Sequence, residues 1–320
     1  MNTNNLAIRN LIGESNYDFV GYRRVAMFFS CGMIAMALLA ILIRGMNFGV
    51  DFTGGFTIEV GYEKPPSIQQ IRDVLAAAEL PDAAVQNFGT STDVLIRMAP
   101  PEDGAGGAAL SEDVFKALAP TSETPVDIRR VEFVGPQVGE ELRETGGLAV
   151  LMALFAIVVY IWFRFEKKFS VGSVLALVHD VVITVGIFAL FQIEFDLTIL
   201  AAILAVIGYS LNDTIVVFDR IRENFRNVRR GTPGEVMNLS INQTLSRTVI
   251  TSFTTLLVLL SLFIFGGKII NGFALALIIG VIVGTYSSIF VASTAVLALG
   301  ITKEDMMPVE KEGSDLDHIP

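Results

Sequence analysis

Cysteine and histidine are nearly absent from this chain. Its 320 residues include one cysteine, Cys31, and two histidines, His179 and His318. One cysteine cannot build a disulfide framework or a thiolate metal site, and two histidines alone cannot make a histidine-based one. Charge is also scarce: 18% of residues are charged, where soluble proteins average about 25%. No Walker A pattern occurs. Gly266-Gly267-Lys268 lacks the upstream glycine and the following Ser or Thr, which argues against direct use of ATP. The net charge is −10 and no basic patch stands out, so nucleic acid is not an expected partner. These absences leave no cofactor or metal to expect.

What is abundant is apolar sequence. Hydrophobic residues make up 52% of the chain and the mean hydropathy is +0.59. About 30 Å of hydrocarbon needs about 20 helical residues at 1.5 Å each. Six runs are of that order: residues 25–43, 148–165, 171–191, 197–218, 248–265 and 273–299. The first is not expected to be a cleaved signal, being too long for one and followed by no small-x-small site. This reading divides the chain into an N-terminal segment 1–24, a first span 25–46, an external domain 47–145, five further spans in 146–300 and an acidic tail 301–320.

Lys and Arg in short loops predict orientation. Arg9, Arg23 and Arg24 precede the first run. Arg164, Lys167 and Lys168 lie in the second-to-third loop region, and Arg220, Arg222, Arg226, Arg229 and Arg230 between the fourth and fifth runs. The third-to-fourth connection has only Glu194 and Asp196, and the fifth-to-sixth only Lys268. Both termini are therefore expected in the cytoplasm, with the acidic 47–145 segment outside.

That segment reads as βαββαβ. Strands are expected at 56–60, 85–88, 94–98 and 126–134, with the middle two joined by a tight turn through residues 89–92. Helices are expected at 67–80, capped by Ser67, and at 110–118. Residues 100–107 form a linker. The order suggests a ferredoxin-like α+β sandwich. The overall fold class is thus a six-helix membrane bundle with an inserted α+β domain.

Asp213 lies within the fourth apolar run, where a carboxylate costs roughly 2.5–3.5 kcal/mol on insertion scales. It calls for a partner or a task. Arg247 opens the fifth run, and at 1.5 Å per residue it lies within ~6 Å of the depth of Asp213. The pair offers a proton relay, because a carboxyl at such depth responds to both low dielectric and a moving cation. His179 and Asp180, roughly 12–14 Å deep on the third run, are weaker candidates. Thr248, Thr251, Ser252 and Thr255 form a hydroxyl face on the fifth run at i, i+3, i+4 and i+7 that can hold water and hand on protons, so Thr248 and Ser252 join the weaker relay candidates. On the sixth, Gly272, Ala276, Gly280, Gly284 and Ser288 form a small-residue stripe that permits close helix approach. Blander readings stand beside these. Arg247 can snorkel to the interface. Asp213 can sit in a static ion pair, and His179-Asp180 can be an ordinary helix contact. An intramembrane aspartyl protease is disfavoured, since residues 208–213, GYSLND, lack the GxGD pattern. One charge crossing 100 mV yields about 2.3 kcal/mol, and fully inverting a two-state equilibrium needs about 5.5. One proton can bias such a switch strongly and two can throw it. Sodium is an equally admissible ion for a carboxylate with hydroxyls.

Several ordered stretches resemble the SecD/SecF family of the bacterial Sec export machinery, itself similar to half of an RND-type transporter. They are residues 47–55 (NFGVDFTGG), 134–139 (VGPQVG), 179–180 (HD), 207–224 (IGYSLNDTIVVFDRIREN), 245–248 (LSRT) and 284–290 (GTYSSIF). The resemblance covers residues 17–299, and the modest external segment fits the SecF branch better than SecD. It implies an inner-membrane subunit paired with SecD, associated with the SecYEG channel and YajC, that assists emerging unfolded preproteins using the proton-motive force. The family's intramembrane acid and arginine fall on Asp213 and Arg247. Gly49, Asp51, Gly54 and Gly55, with Gly135, Gly146 and Gly147, are expected to act as hinges for the external domain. A passive scaffold that stabilises SecD and the channel is the main alternative. A small-molecule exporter half is disfavoured by the small external domain.

Overall fold

The computed structural model describes residues 15–78, 80, 83–99, 107–119, 126–228, 230–303 and 305. The expected linker at 100–107, apart from Gly107, and most of the acidic tail, including His318, lie outside these residues. The chain divides into two compact units. One takes in Met1–Gly45, Ala153–Gln192 and Ala201–Pro320, and the other Met46–Met152 and Ile193–Leu200.

The smaller unit is built on a four-stranded antiparallel sheet of β1 (Gly55–Gly61), β2 (Ala84–Phe88), β3 (Thr90–Met98) and β4 (Asp127–Val134), in the order β2-β3-β1-β4. Alternation places Phe56, Ile58 and Val60 of β1 and Val94, Ile96 and Met98 of β3 on one face. There they bury against Ile71 and Leu75 of α3 (Ile68–Ala77) and Val114 and Leu118 of α4 (Gly107–Leu118). Ser67 caps α3, its side chain accepting the Gln70 N–H. The β2–β3 hairpin is tighter than expected. Phe88 pairs with Thr90, and the reversal rests on Gly89 at φ 72°, so β3 begins at Thr90.

Ahead of β1, the single turn α2 (Val50–Thr53) ends in Gly54 and Gly55 at φ 69° and 126°. Only glycine adopts these values readily. Phe48 and Phe195 form a parallel bridge, with Phe195 N–H donating to Asn47 O and Gly49 N–H to Phe195 O, both at 2.8 Å. Phe48, Phe52 and Phe195 pack edge-on and tilted about this junction.

Among the described residues, six helices are long and apolar enough to cross a membrane. They are α1 (Arg23–Arg44), α5 (Pro136–Arg164), α6 (Lys167–Phe191), α7 (Leu197–Asn227), α8 (Pro233–Phe265) and a last helix. That last helix runs as α9 (Lys268–Ser287), a π-turn (Ser288–Ala292) and α10 (Ser293–Ala298). Two helices begin well before their apolar runs. α5 starts at Pro136, so Gly146 and Gly147 are interior helical residues rather than a connecting loop. α8 starts behind a full capping box, with Thr232 accepting from Glu235 N–H and the Glu235 carboxylate accepting from Thr232 N–H. Pro233 sits at its first position. Hydropathy reports only the oily part of such helices.

Within the larger unit the helices approach closely at small residues. A methyl on Gly186 of α6 would lie 2.2 Å from Ala37 Cβ of α1, and one on Gly280 of α9 would lie 2.1 Å from a Val206 methyl of α7. The small-residue stripe on the last helix therefore lies against α7 at Gly280 and, through Ser210, at Gly284.

Candidate functional site

Asp213 is buried on α7. Its Oδ2 receives a single long hydroxyl contact, 3.5 Å from Ser252 of α8. Ser252 also meets Thr285 of α9 at 2.7 Å and is approached by the Tyr209 hydroxyl at 3.5 Å. Thr285 additionally donates to Val281 O at 2.7 Å. Ser252 has one hydroxyl proton and two acceptors, and Thr285 is the nearer. The carboxyl of Asp213 is thus weakly held by one hydroxyl, Ser252, which hydroxyls of α7 and α9 share. Asp213 and Ser252, separate expectations from sequence, are brought together.

Arg247 forms no ion pair with Asp213, though the two are near enough for their charges to interact. It is exposed, and among the described residues no carboxylate oxygen lies within 4 Å of it. Its main-chain carbonyl accepts from Thr251. Thr248, one turn from Ser252, is buried and its hydroxyl has no hydrogen-bond partner among the described residues.

His179 and Asp180 form a second polar centre, held quite differently. Asp180 is fully buried, with Oδ1 2.8 Å from His179 Nδ1. Its Oδ2 accepts from Ser287 at 2.7 Å and from Ser210. The His179 ring stacks on Tyr286 at 6.1 Å, and its buried Nε2 has no partner among the described residues. Tyr286 in turn donates to Ala26 O and accepts from Ser30, tying the last helix to α1. Among the described residues no cluster of His, Cys, Asp and Glu is able to hold a metal.

The glycine-rich turn proves to be a junction. Asp51 accepts the N–H of Leu197, the first residue of α7, at 3.0 Å. A Cβ on Gly139 of α5 would lie 2.8 Å from Gly54 N, and one on Gly49 would lie 3.1 Å from the Glu194 carboxylate. Arg97 of β3 pairs with Glu194 at 2.6 Å and reaches Asn47 Oδ1 and Phe48 O.

The family model described as the C-terminal part of the SecD/SecF protein export membrane proteins matches residues 113–302, and the SecD/SecF GG motif matches 39–66. The chain belongs to the SecD/SecF family. Protein translocase subunit SecF of Vibrio alginolyticus is 52% identical over 97% of this chain and 99% of its own length. The subunit of that name from Escherichia coli O157:H7 is 50% identical over 95% and 94%. The crystal structure of SecDF from Thermus thermophilus, a translocon-associated membrane protein, superposes with a TM-score of 0.81 at 38% identity. It covers 89% of this chain, which spans 39% of the SecDF chain. The chain is accordingly a SecF-type translocase subunit, a multi-pass transport component rather than an enzyme.

Four residues of these centres were not singled out from sequence for their contacts: Ser210, Ser287, Arg97 and Glu194. Ser210 and Ser287 look like routine small residues of packed helices. The signal for Arg97 was an arginine in the otherwise apolar run Val94–Met98 of β3.

Proposed function

We propose that this SecF-type subunit pairs with SecD in the bacterial inner membrane and uses the proton-motive force to assist preproteins through SecYEG, with YajC associated. Both termini face the cytoplasm and the sheet unit lies on the outer side. That unit is read as ferredoxin-like, on the order β2-β3-β1-β4 of antiparallel strands with two helices on one face. The bundle is read as an RND-like half.

The observation that carries the reading is the holding of Asp213. It is buried on a membrane-crossing helix, yet among the described residues it has no cation within 4 Å and one hydroxyl contact, for which Thr285 competes. A static ion pair would hold such a carboxylate far more firmly. Binding and release of a proton, or of sodium, at Asp213 would change its pairing with Ser252. Approach of Arg247 would drive the release, and motion would pass to the sheet unit about Gly49, Gly54, Gly55 and Gly135.

The test is Asp213→Asn in the complete translocase reconstituted in vesicles under an imposed pH or sodium gradient. Gradient-driven export should vanish while insertion of the subunit is unchanged. Undiminished export by that variant rejects the ion role and favours a passive scaffold.

A further inference from the structure

Asp180 and Asp213 are both buried carboxylates, but their surroundings differ in kind. The oxygens of Asp180 are filled from three elements: His179 on α6 itself, Ser210 on α7 and Ser287 on α9. Its main-chain carbonyl also accepts from Thr184 at 2.8 Å. A carboxylate this deep is tolerated when donors of this kind surround it. It is the centre at which α6, α7 and the last helix meet.

The two serines lie next to the Asp213 site in sequence. Ser210 is three residues before Asp213, on the same face of α7. Ser287 is two residues after Thr285, about 200° around the helix at ~100° per residue. Ser287 can therefore face Asp180 while Thr285 faces Ser252, and both contacts are present. Directly beyond Ser287 the helix passes into its π-turn, Ser288–Ala292, where one extra residue per turn changes the rotation of everything that follows. The contact to Asp180 thus fixes the rotation of α9 at the last residue before its register changes. The contact from Ser210 does the same for α7.

We propose that Asp180 is a positioning residue for the Asp213 site, setting the rotations of α7 and α9 that present Ser252 and Thr285 to Asp213. The inference rests on the reading of Asp213 as the ion-exchanging group. The titratable or charged side chains on the facing elements are His179 on α6, Tyr209 and Asp213 on α7, Arg247 on α8 and Tyr286 on α9. The rival role for Asp180 is proton exchange through His179, whose Nε2 is unpartnered.

A hydrophobic carbodiimide reacts with protonated carboxyls in apolar surroundings, and mass spectrometry locates the adduct. The full chain in phospholipid vesicles would be labelled across pH. In the native chain Asp213 should label with a defined pH midpoint and Asp180 should not label. Asp180→Asn, and separately Ser287→Ala and Ser210→Ala, should each move the Asp213 midpoint by half a pH unit or more. Ser287→Thr, which restores the hydroxyl, should return it. The serine variants keep the test open if Asp180→Asn does not fold. An Asp213 midpoint unmoved by the Asp180 and serine variants, but moved by Ser252→Ala, overturns the positioning role and leaves the Asp213 reading intact. Labelling of Asp180 itself with a pH midpoint overturns it in favour of proton exchange there. An Asp213 that never labels overturns the Asp213 reading instead, and this inference with it.

Discussion

The Asp51 carboxylate accepts the N–H of Leu197 at 3.0 Å, so the glycine-rich turn before β1 caps the helix that carries Asp213. The first four N–H groups of a helix have no partner within it, and negative charge there is favourable. Asp196 supplies one acceptor, taking the Ile199 N–H at 2.9 Å, and Asp51 supplies another from far away in sequence. Asp51→Ala should destabilise the full chain by about 0.5–2 kcal/mol, the usual cost of a lost cap, and Asp51→Asn by less because an acceptor oxygen remains. Thermal unfolding in detergent gives the comparison. Equal effects of Ala and Asn would show that charge rather than the cap is what matters.

Arg97 does three things from one side chain: it pairs with Glu194 and donates to Asn47 Oδ1 and Phe48 O. Charge-assisted hydrogen bonds of this kind are worth about 1.5–3 kcal/mol each when buried, less where water reaches them. Arg97→Ala should speed amide exchange at Phe195 and Gly49, whose N–H groups close the bridge beside it. The exchanged pair Arg97→Glu with Glu194→Arg should not restore protection, since a glutamate cannot donate to Asn47 or Phe48. Full protection in that double variant would reduce the contact to its charges.

Tyr62 follows β1 and is buried, with no partner for its hydroxyl among the described residues. Burial pushes its phenol from 10.0 up to about 12. The folded value is raised, so the contribution is fully present below pH 10 and declines as pH rises through about 12, because the unfolded chain ionises first. Tyr62→Phe should abolish that part of the alkaline loss. At neutral pH it should leave stability unchanged or improve it by about 1 kcal/mol, since an unsatisfied buried hydroxyl is removed. Ultraviolet titration of the tyrosinate band, native against variant, reads the alkaline shift directly.

Much of this was legible in the sequence, for physical reasons that also mark where legibility ends. The six spans follow from hydrocarbon thickness, and the strands of the sheet from alternation at Phe56, Ile58, Val60 and at Val94, Ile96, Met98. The approach of Ser252 to Asp213 was prefigured by a hydroxyl face at helical spacing. The polar starts of α5 and α8 were missed because hydropathy is blind to helix outside the oil. The Asp180 centre was hidden because its donors, Ser210 and Ser287, lie on two other helices, and only packing brings them together. Matching depth puts Arg247 within electrostatic reach of Asp213, but depth along a helix does not by itself make an ion pair.

The closest test of that packing is at Gly280. A Cβ there would lie 2.1 and 2.6 Å from the two Val206 methyls and 2.9 Å from Val206 Cβ. Gly280→Ala must therefore push α9 away from α7 or force Val206 off its rotamer, and overpacking of this sort costs about 1–3 kcal/mol. The displaced helix is the one carrying Thr285 and Ser287, so loss of gradient-driven export should exceed what the stability loss explains. Adding Val206→Ala removes the two nearest atoms and leaves only the 2.9 Å approach, so the double variant should recover most of the stability and part of the export. Contacting residues are expected to couple in this non-additive way. Strictly additive losses in the double variant would mean that α7 and α9 do not meet at this point in the working protein.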